Sequence, residues 1–423
     1  MAEQPFSMAP VRRGLSDSAL LDEVQRNTFR YFWDFAHPVS GLAYERSDYL
    51  ASRPDLVATG GSGFGLMAIL AGVERGFVSR AEAAERVLKI VRFLIGCPTY
   101  HGAFPHWLNG ATGATIPFSR KDDGADLVET SYLMMGLLCA RQYFHRDDPV
   151  EGEIRHWADI LWSETEWSWF TRGGQAVLYW HWSPNHGWAL DHEIRGWNEC
   201  LITYVLAVSA PRHPAPPRVY HRGYAEARAF DNRRVYEGME LPLGPDWGGP
   251  LFFAHYSFQG LDPRGLSDRY ADYWTQNVRH TLINRAYCIR NPRGWAGYGP
   301  DCWGLTATET DQGYRALSPT EDIGVISPTA AVSSMPYTPD ESLAALRHFY
   351  EEKGDRIWTD LGFVSSFCEA RNWTSQAHIA IDQGPVVCMI ENYRSGLLWE
   401  LFMSCPEVKQ GLSALGFTRA AAT

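Results

Sequence analysis

Hydrophobic positions recur every three to four residues through most of the first half of the chain, and they mark two kinds of helix. Asp17 to Ala36 carries Leu20, Leu21, Val24, Thr28, Tyr31, Phe32 and Phe35 on one face, with Ser16 or Asp17 placed as N-cap. Ser79 to Gly96 opens with Ser79 and Glu82 in capping-box spacing, and Pro149 to Glu164 is again amphipathic. Between these lie segments that are apolar on every side, Gly60 to Arg75 (GGSGFGLMAILAGVER) and Asp126 to Phe144. A helix without a polar face must be covered all round. The alternation therefore predicts two concentric layers, as in an α/α barrel, and a mainly all-α fold.

The middle of the chain breaks the pattern. Trp167 to Trp182 reads as a short β-hairpin turning at Arg172-Gly173-Gly174. Gly196 to Ala210 is another apolar helix, and the Pro-rich run from Pro211 to Arg218 reads as a surface connection. Helical alternation resumes at Ser267 to Ile289 and Pro339 to Lys353. Neither flank is self-sufficient, so the expectation is one domain over residues 17–417, preceded by a loosely ordered segment, residues 1–16.

Composition narrows the function. The formal charge of −11 is mixed along the chain with no basic block, which argues against nucleic acid and anionic membrane as partners. No run approaches the ~18 to 20 apolar residues of a membrane helix. Arg12 and Arg13 lack an apolar stretch behind them, so a cytoplasmic protein is expected, or a periplasmic or secreted one if a leader has been removed. The eight cysteines are spread singly and read as buried reduced thiols. His181, His186 and His192 match no metal-ligand spacing, GGSGFG lacks the Lys of a phosphate loop, and there is no GxSxG, so neither metal nor cofactor is expected.

The acids are more informative. In SRKDDGADLVETSYLMMGLL, Asp126 and Glu129 stand three apart on one helical face, with Asp122 in line before them. The same stripe continues into Leu133, Gly136 and Leu137, so these acids lie at the mouth of a core and not on a solvated face. Macrodipole stabilisation would explain Asp126 but not Glu129. Glu199 in GWNECLITYVLAV falls in the first turn of a helix with no other charge, where burial would raise its pKa as a general acid requires; an ion pair with Arg195 is the competing reading. Asp382 ends an apolar run just before Gln383-Gly384-Pro385 opens a helix, where it is either displayed or a plain N-cap. Glu321 is a weaker candidate.

Around these acids lie loops dense in aromatics: YHGAFPHW with His106 and Trp107, YWHWSPNHGW with His181, Trp182 and His186, and WAGYGPDCWG with Trp303. Trp197 and Tyr393 flank the acids in their own segments. Aromatic planes stack on sugar rings while His, Asn and Asp edges bond hydroxyls. Aromatic loops combined with acids point to a carbohydrate cleft.

The strings GGSGFGLMAILAGVERGF, DLVETSYLMMGLL, LYWHWSPNHGW, IRGWNECLITYVLA, PLFFAHYSFQGLDPRG and IDQGPVVCMIENYRSGLLW resemble the glycoamylase-like hydrolases, which include the endo-β-1,2-glucanases of glycoside hydrolase family 144. The likeness runs from about Leu20 to Phe417. It implies a single (α/α)6 barrel with a central acidic cleft that cuts β-1,2-glucan with inversion. It makes Glu199 the general-acid candidate and Asp382 a candidate base, and matches Asp122, Asp126 and Glu129 to the acids of the DxxxDxxE helix. Exo-acting enzymes and transglycosylases share such a barrel. Two other classes remain open, a sugar epimerase or isomerase and a non-catalytic glycan-binding protein. The inverting mechanism needs ~6.5–9.5 Å between its two carboxyls, against ~5–5.5 Å for a retaining one.

Overall fold

The computed structural model describes residues 6–420. Its helices are α1 (Asp17–Trp33), α2 (Thr59–Glu74), α3 (Arg80–Ile95), α4 (Leu127–Tyr143), α5 (Pro149–Glu164), α6 (Leu201–Ser209), α7 (Tyr273–Arg290), α8 (Pro328–Ser333), α9 (Pro339–Glu351), α10 (Gly354–Ile357), α11 (Ala380–Arg394), α12 (Leu397–Ser404) and α13 (Pro406–Ala414). The segments without a polar face form the inner layer. α2 packs between α4 and α11, α6 adjoins α4, and α8 adjoins α11. The 3-10 turns Leu251–Ala254 and Ser257–Gln259 hold the remaining inner place, touching α6 and α11. The amphipathic helices surround them: α1 against α2 and α11, α3 against α5, α9 against α8, and α13 against α6. This is the (α/α)6 barrel.

Small residues let the inner helices meet closely. Every residue of α2 from Thr59 to Gly72 is buried. A Cβ added to Gly63 would lie 2.2 Å from the Tyr132 carbonyl oxygen, and one on Gly136 would lie 2.2 Å from that of Gly63. α2 and α4 thus touch backbone to backbone, which no larger side chain permits. The outer helices are set by caps. Ser79 and Glu82 form a complete capping box on α3, and Asp148 caps α5 ahead of Pro149.

Inner helices α2, α4 and α11 bring their N-termini to one end of the barrel, where Ala58, Gly61, Glu129, Ile379 and Ile381 line a common cavity. Helix N-termini carry unpaired N–H groups and positive dipole ends, so this end stabilises negative charge. The site lies here.

Several expectations are corrected. Trp167 to Trp182 is not a hairpin. Trp167–Thr171 is a 3-10 helix because Trp167 and Phe170 fall on one buried face, and the strand His181–Trp182 pairs with Ala125–Asp126 instead. α6 begins at Leu201, so Glu199 precedes the helix: Asn198 accepts the Cys200 N–H and Ser257 donates to the Glu199 carbonyl, forming a turn. α11 begins at Ala380, which puts Asp382 in its first turn and Pro385 inside the helix. Of the N-terminal segment expected to be loosely ordered, residues 6–16 are described, with Phe6 buried and Ser7, Met8, Arg12, Arg13 and Gly14 exposed, and residues 1–5 lie outside the described residues. Phe6 sets its ring edge-on to His378 at 4.7 Å, and the N–H of Ala9 donates to Trp358 at 3.1 Å. All eight cysteines are free and buried. Among the described residues no helix is long and apolar enough to cross a membrane.

Candidate active site

Asp126 is the anchor of the site. It is fully buried as the N-cap of α4, where Oδ1 accepts the N–H groups of Val128 and Glu129, each at 3.0 Å. The Trp180 indole also donates to Oδ1 at 2.9 Å, and His106 Nδ1 lies 2.9 Å from Oδ2. Burial alone would raise the Asp126 pKa, but His106, His181 and the backbone N–H of Glu129 override it and hold the carboxyl below its ordinary value. His106 is the reciprocal case. Burial would lower its pKa, yet Glu129, Asp126 and Glu45 around it raise it to about 10. At neutral pH this is an imidazolium–carboxylate pair.

Glu129, one turn further on, faces the cavity. Its Oε2 accepts the Gly60 N–H of α2 at 2.6 Å. Burial, reinforced by the charges of Asp126 and Glu45 against the opposing His106, lifts its pKa to about 7. Asp122 is buried beside His181, whose Nδ1 lies 3.5 Å from Asp122 Oδ2 and 3.8 Å from Asp126 Oδ2. Among the described residues, His106, Asp122 and Asp126 are the group whose potential ligand atoms converge, within 4.8 Å of one another, closely enough to hold a cation. In this structure two of them are already paired to each other.

Glu199 and Asp382 complete the array. Arg195, the expected partner of Glu199, pairs with Glu193 instead. Among the described residues Glu199 has no cation partner, and desolvation, aided by the Asp126 charge, raises its pKa to about 7. Asp382 is buried, accepts a hydrogen bond from Ser365 Oγ at 3.1 Å and faces the Tyr256 hydroxyl. Desolvation raises its pKa to about 7 against these bonds and Arg46. Glu129, Glu199 and Asp382 share neighbours. The Tyr256 phenol feels the charges of Asp382, Glu199 and Glu129 together, and the Tyr314 phenol those of Asp382, Glu45 and Glu199. Acids far apart in the chain therefore act on common phenols beside one opening, which Glu129 lines, while Asp382 lines a small adjoining cavity with Tyr256.

That opening is a cavity of about 270 Å³ walled by Glu45, Arg46, His106, Trp107, Glu129 and Tyr314. His106, Trp107 and Phe118 form one aromatic wall, with Phe118 centred 4.3 Å from His106 and 4.7 Å from Trp107. Glu321 lies on a separate groove with Asn232 and Phe253. Trp182 and His101 meet edge to face at 4.9 Å, and Ser183 accepts the His186 N–H at the next turn. A larger depression of about 670 Å³ lies on the outer helices between Arg80, Arg86 and Glu151. Arg80 pairs with Glu151 within it, and none of the four acids lines it.

Three predicted sugar contacts besides Glu321 are elsewhere. Trp197 is buried against Tyr273 at 5.7 Å and closes over Gly244, and Trp303 is fully buried in the core around α8 and α9. Tyr393 is exposed near the C-terminal end of α11, eleven residues and so about 16 Å along the helix from Asp382. Glu45, Arg46, Trp180, Tyr256 and Tyr314 join the site without having been singled out. Trp180 was within reach of the sequence, since it alternates with Trp182 in the aromatic loop.

The "Glycoamylase" family model, described as "Putative glucoamylase", matches residues 191–406. A "putative glucoamylase" of Bacteroides uniformis ATCC 8492 is 58% identical, with 96% of this chain and 99% of that chain covered and a TM-score of 0.95. An endo-β-1,2-glucanase of Chitinophaga pinensis, solved with sophorotriose and glucose, is 51% identical over 96% of this chain and 99% of that one, with a TM-score of 0.93. A curated relative from Parabacteroides distasonis, an exo β-1,2-glucooligosaccharide sophorohydrolase (non-reducing end), is 44% identical over 95% of this chain. The chain spans 58% of that relative's length. With a family model covering half of it and a relative matched almost end to end, the chain belongs to the glycoamylase-like family of glycoside hydrolases.

Proposed function

We propose that this protein hydrolyses β-1,2-linked glucans or glucooligosaccharides with inversion at the anomeric carbon. The observation that carries the reading is the Glu199 carboxyl, without a cation partner among the described residues, its pKa raised to about 7 by desolvation and by the charge of nearby Asp126. A carboxyl with that pKa donates a proton near neutrality. The relatives' substrates, β-1,2-glucan and its oligosaccharides, supply the linkage.

In the mechanism, Glu199 gives its proton to the glycosidic oxygen as the bond to the anomeric carbon breaks. A water on the opposite face of the ring attacks that carbon, and a carboxylate takes the water's proton. Asp382 is the base we assign. Its Ser365 and Tyr256 contacts and the nearby Arg46 favour the ionised form that burial opposes. Asp126 suits the role less, because Oδ1 already accepts three donors and Oδ2 faces His106. We assign it to holding His106 charged against the cleft, and Glu129 to binding or relaying a proton beside the sugar. Asp122, His181 and Trp107 would bond or stack on substrate from the walls.

Incubation with linear β-1,2-glucan tests this reading through release of new reducing ends and the anomeric form of the first product by NMR. Inverted product is expected, and its chain length distinguishes cutting within the chain from release at an end. A sugar isomerase would create no new reducing ends, and a glycan-binding protein would retain the polymer uncut. Either result would overturn the proposal.

A further inference from the structure

Resting on the hydrolytic reading above, we propose that Tyr314 is a substrate-contacting residue of this site. Its ring covers one face of the sugar at the cleaved linkage, and its hydroxyl bonds a hydroxyl of that sugar. Tyr314 lies on a hairpin of Ala307–Thr310 and Gly313–Ala316, directly opposite Glu309 in antiparallel register. Opposed residues in such a pair project from the same face. Glu309 is gripped by Arg46, whose Nη1 lies 2.6 Å from Oε2, and Arg46 lines the cavity. The face that carries Glu309 and Tyr314 is therefore the cavity face, and Tyr314 lines the cavity with Glu45, His106 and Glu129.

Two further observations separate this residue from an ordinary surface tyrosine. The residue is 50% exposed although it lines the cavity, and desolvation first, then Asp382, Glu45 and Glu199, raise its phenol pKa well above the ordinary value. The hairpin is also fixed. Arg371 pairs with Asp311 through two contacts of 2.7 and 3.0 Å. Thr308 Oγ1 lies 2.7 Å from Ser365 Oγ, and Ser365 in turn donates to Asp382 at 3.1 Å. Tyr314 and Asp382 are thus tied to one scaffold, whereas the Tyr314 hydroxyl takes part in none of the bonds that hold the hairpin. A rigidly placed aromatic ring whose hydroxyl has no partner among the described residues, beside the acids, is built for a hydroxylated ring.

The test compares Tyr314→Phe and Tyr314→Ala with the wild type for kcat/KM on linear β-1,2-glucooligosaccharides, and for sophorotriose affinity by calorimetry. Thermal melts serve as the check on folding. The expected result is an unchanged melt, kcat/KM lowered about 3- to 10-fold by Phe and more than about tenfold by Ala, and weaker sophorotriose binding in the same order. Wild-type kcat/KM together with wild-type sophorotriose affinity in Tyr314→Ala would overturn the proposal. If the wild type cuts nothing but binds sophorotriose and loses it on Tyr314→Ala, the hydrolytic reading fails while the contact stands.

Discussion

Glu129 Oε2, on α4, accepts the backbone N–H of Gly60 at the start of α2 across 2.6 Å. The acid's position is therefore set by how closely two inner helices approach, and that approach depends on glycines. A methyl at Gly63 would collide with the Tyr132 carbonyl at 2.2 Å. Gly63→Ala is expected to destabilise the fold by about 1–3 kcal/mol through overpacking, measured by urea denaturation. Gly60→Ala places its methyl 2.6 Å from the Glu129 carboxylate and should lower activity more than stability. Wild-type values in both variants would show that the helices absorb the methyls.

Glu199→Gln is expected to lower kcat about 10²- to 10⁴-fold while leaving far-UV circular dichroism unchanged. Turnover close to that of the wild type would remove Glu199 from the acid's role.

The same variant makes a stability prediction with a definite sign. The folded-state pKa of Glu199 is raised from 4.5 to about 7, so the folded protein holds this proton more tightly than the unfolded chain does. The stability this confers is complete below pH 4.5 and is lost as pH rises through about 7. Glu199→Gln does not titrate, so above pH 7 it should melt higher than the wild type, and the gap should close toward pH 4.5. A gap that widens on acidification would contradict the burial of this carboxyl.

For activity, the Glu199 pKa of about 7 predicts an alkaline limb of kcat/KM near that value, as the acid loses its proton. The profile is measured on a β-1,2-glucooligosaccharide across pH 4–10. A limb more than about two pH units higher would point to a different donor.

His106 gives a separate window. Its folded pKa is raised from 6.5 to about 10, so its pairing with Asp126 stabilises the fold fully below 6.5 and is lost as pH climbs through about 10. His106→Gln should therefore flatten the fall in melting temperature between pH 7 and 10 that the wild type shows. An identical slope in both proteins would mean the imidazole is neutral.

The layers of this barrel were readable because apolar patterning marks which helices are covered on all sides: α2, α4 and α5 begin and end within a residue of expectation. The acids were readable because charge is rare in such segments. What failed was local. Trp167 and Phe170 suit a strand by composition, but tertiary burial at i and i+3 made a helical turn. Trp197 and Trp303 share the aromatic signature of cleft residues, and only packing shows that they fill the core. Glu45, Arg46 and Tyr314 carry no pattern of their own. They enter through loops brought over the barrel end by contacts remote in sequence, such as the pair between Arg46 and Glu309.

The capping of α4 by a cleft carboxylate has one more implication. Because the carboxylate that starts an inner helix also pairs with His106 on the cavity wall, loss of Asp126 would register twice, as an uncapped α4 and as an imidazole deprived of its partner.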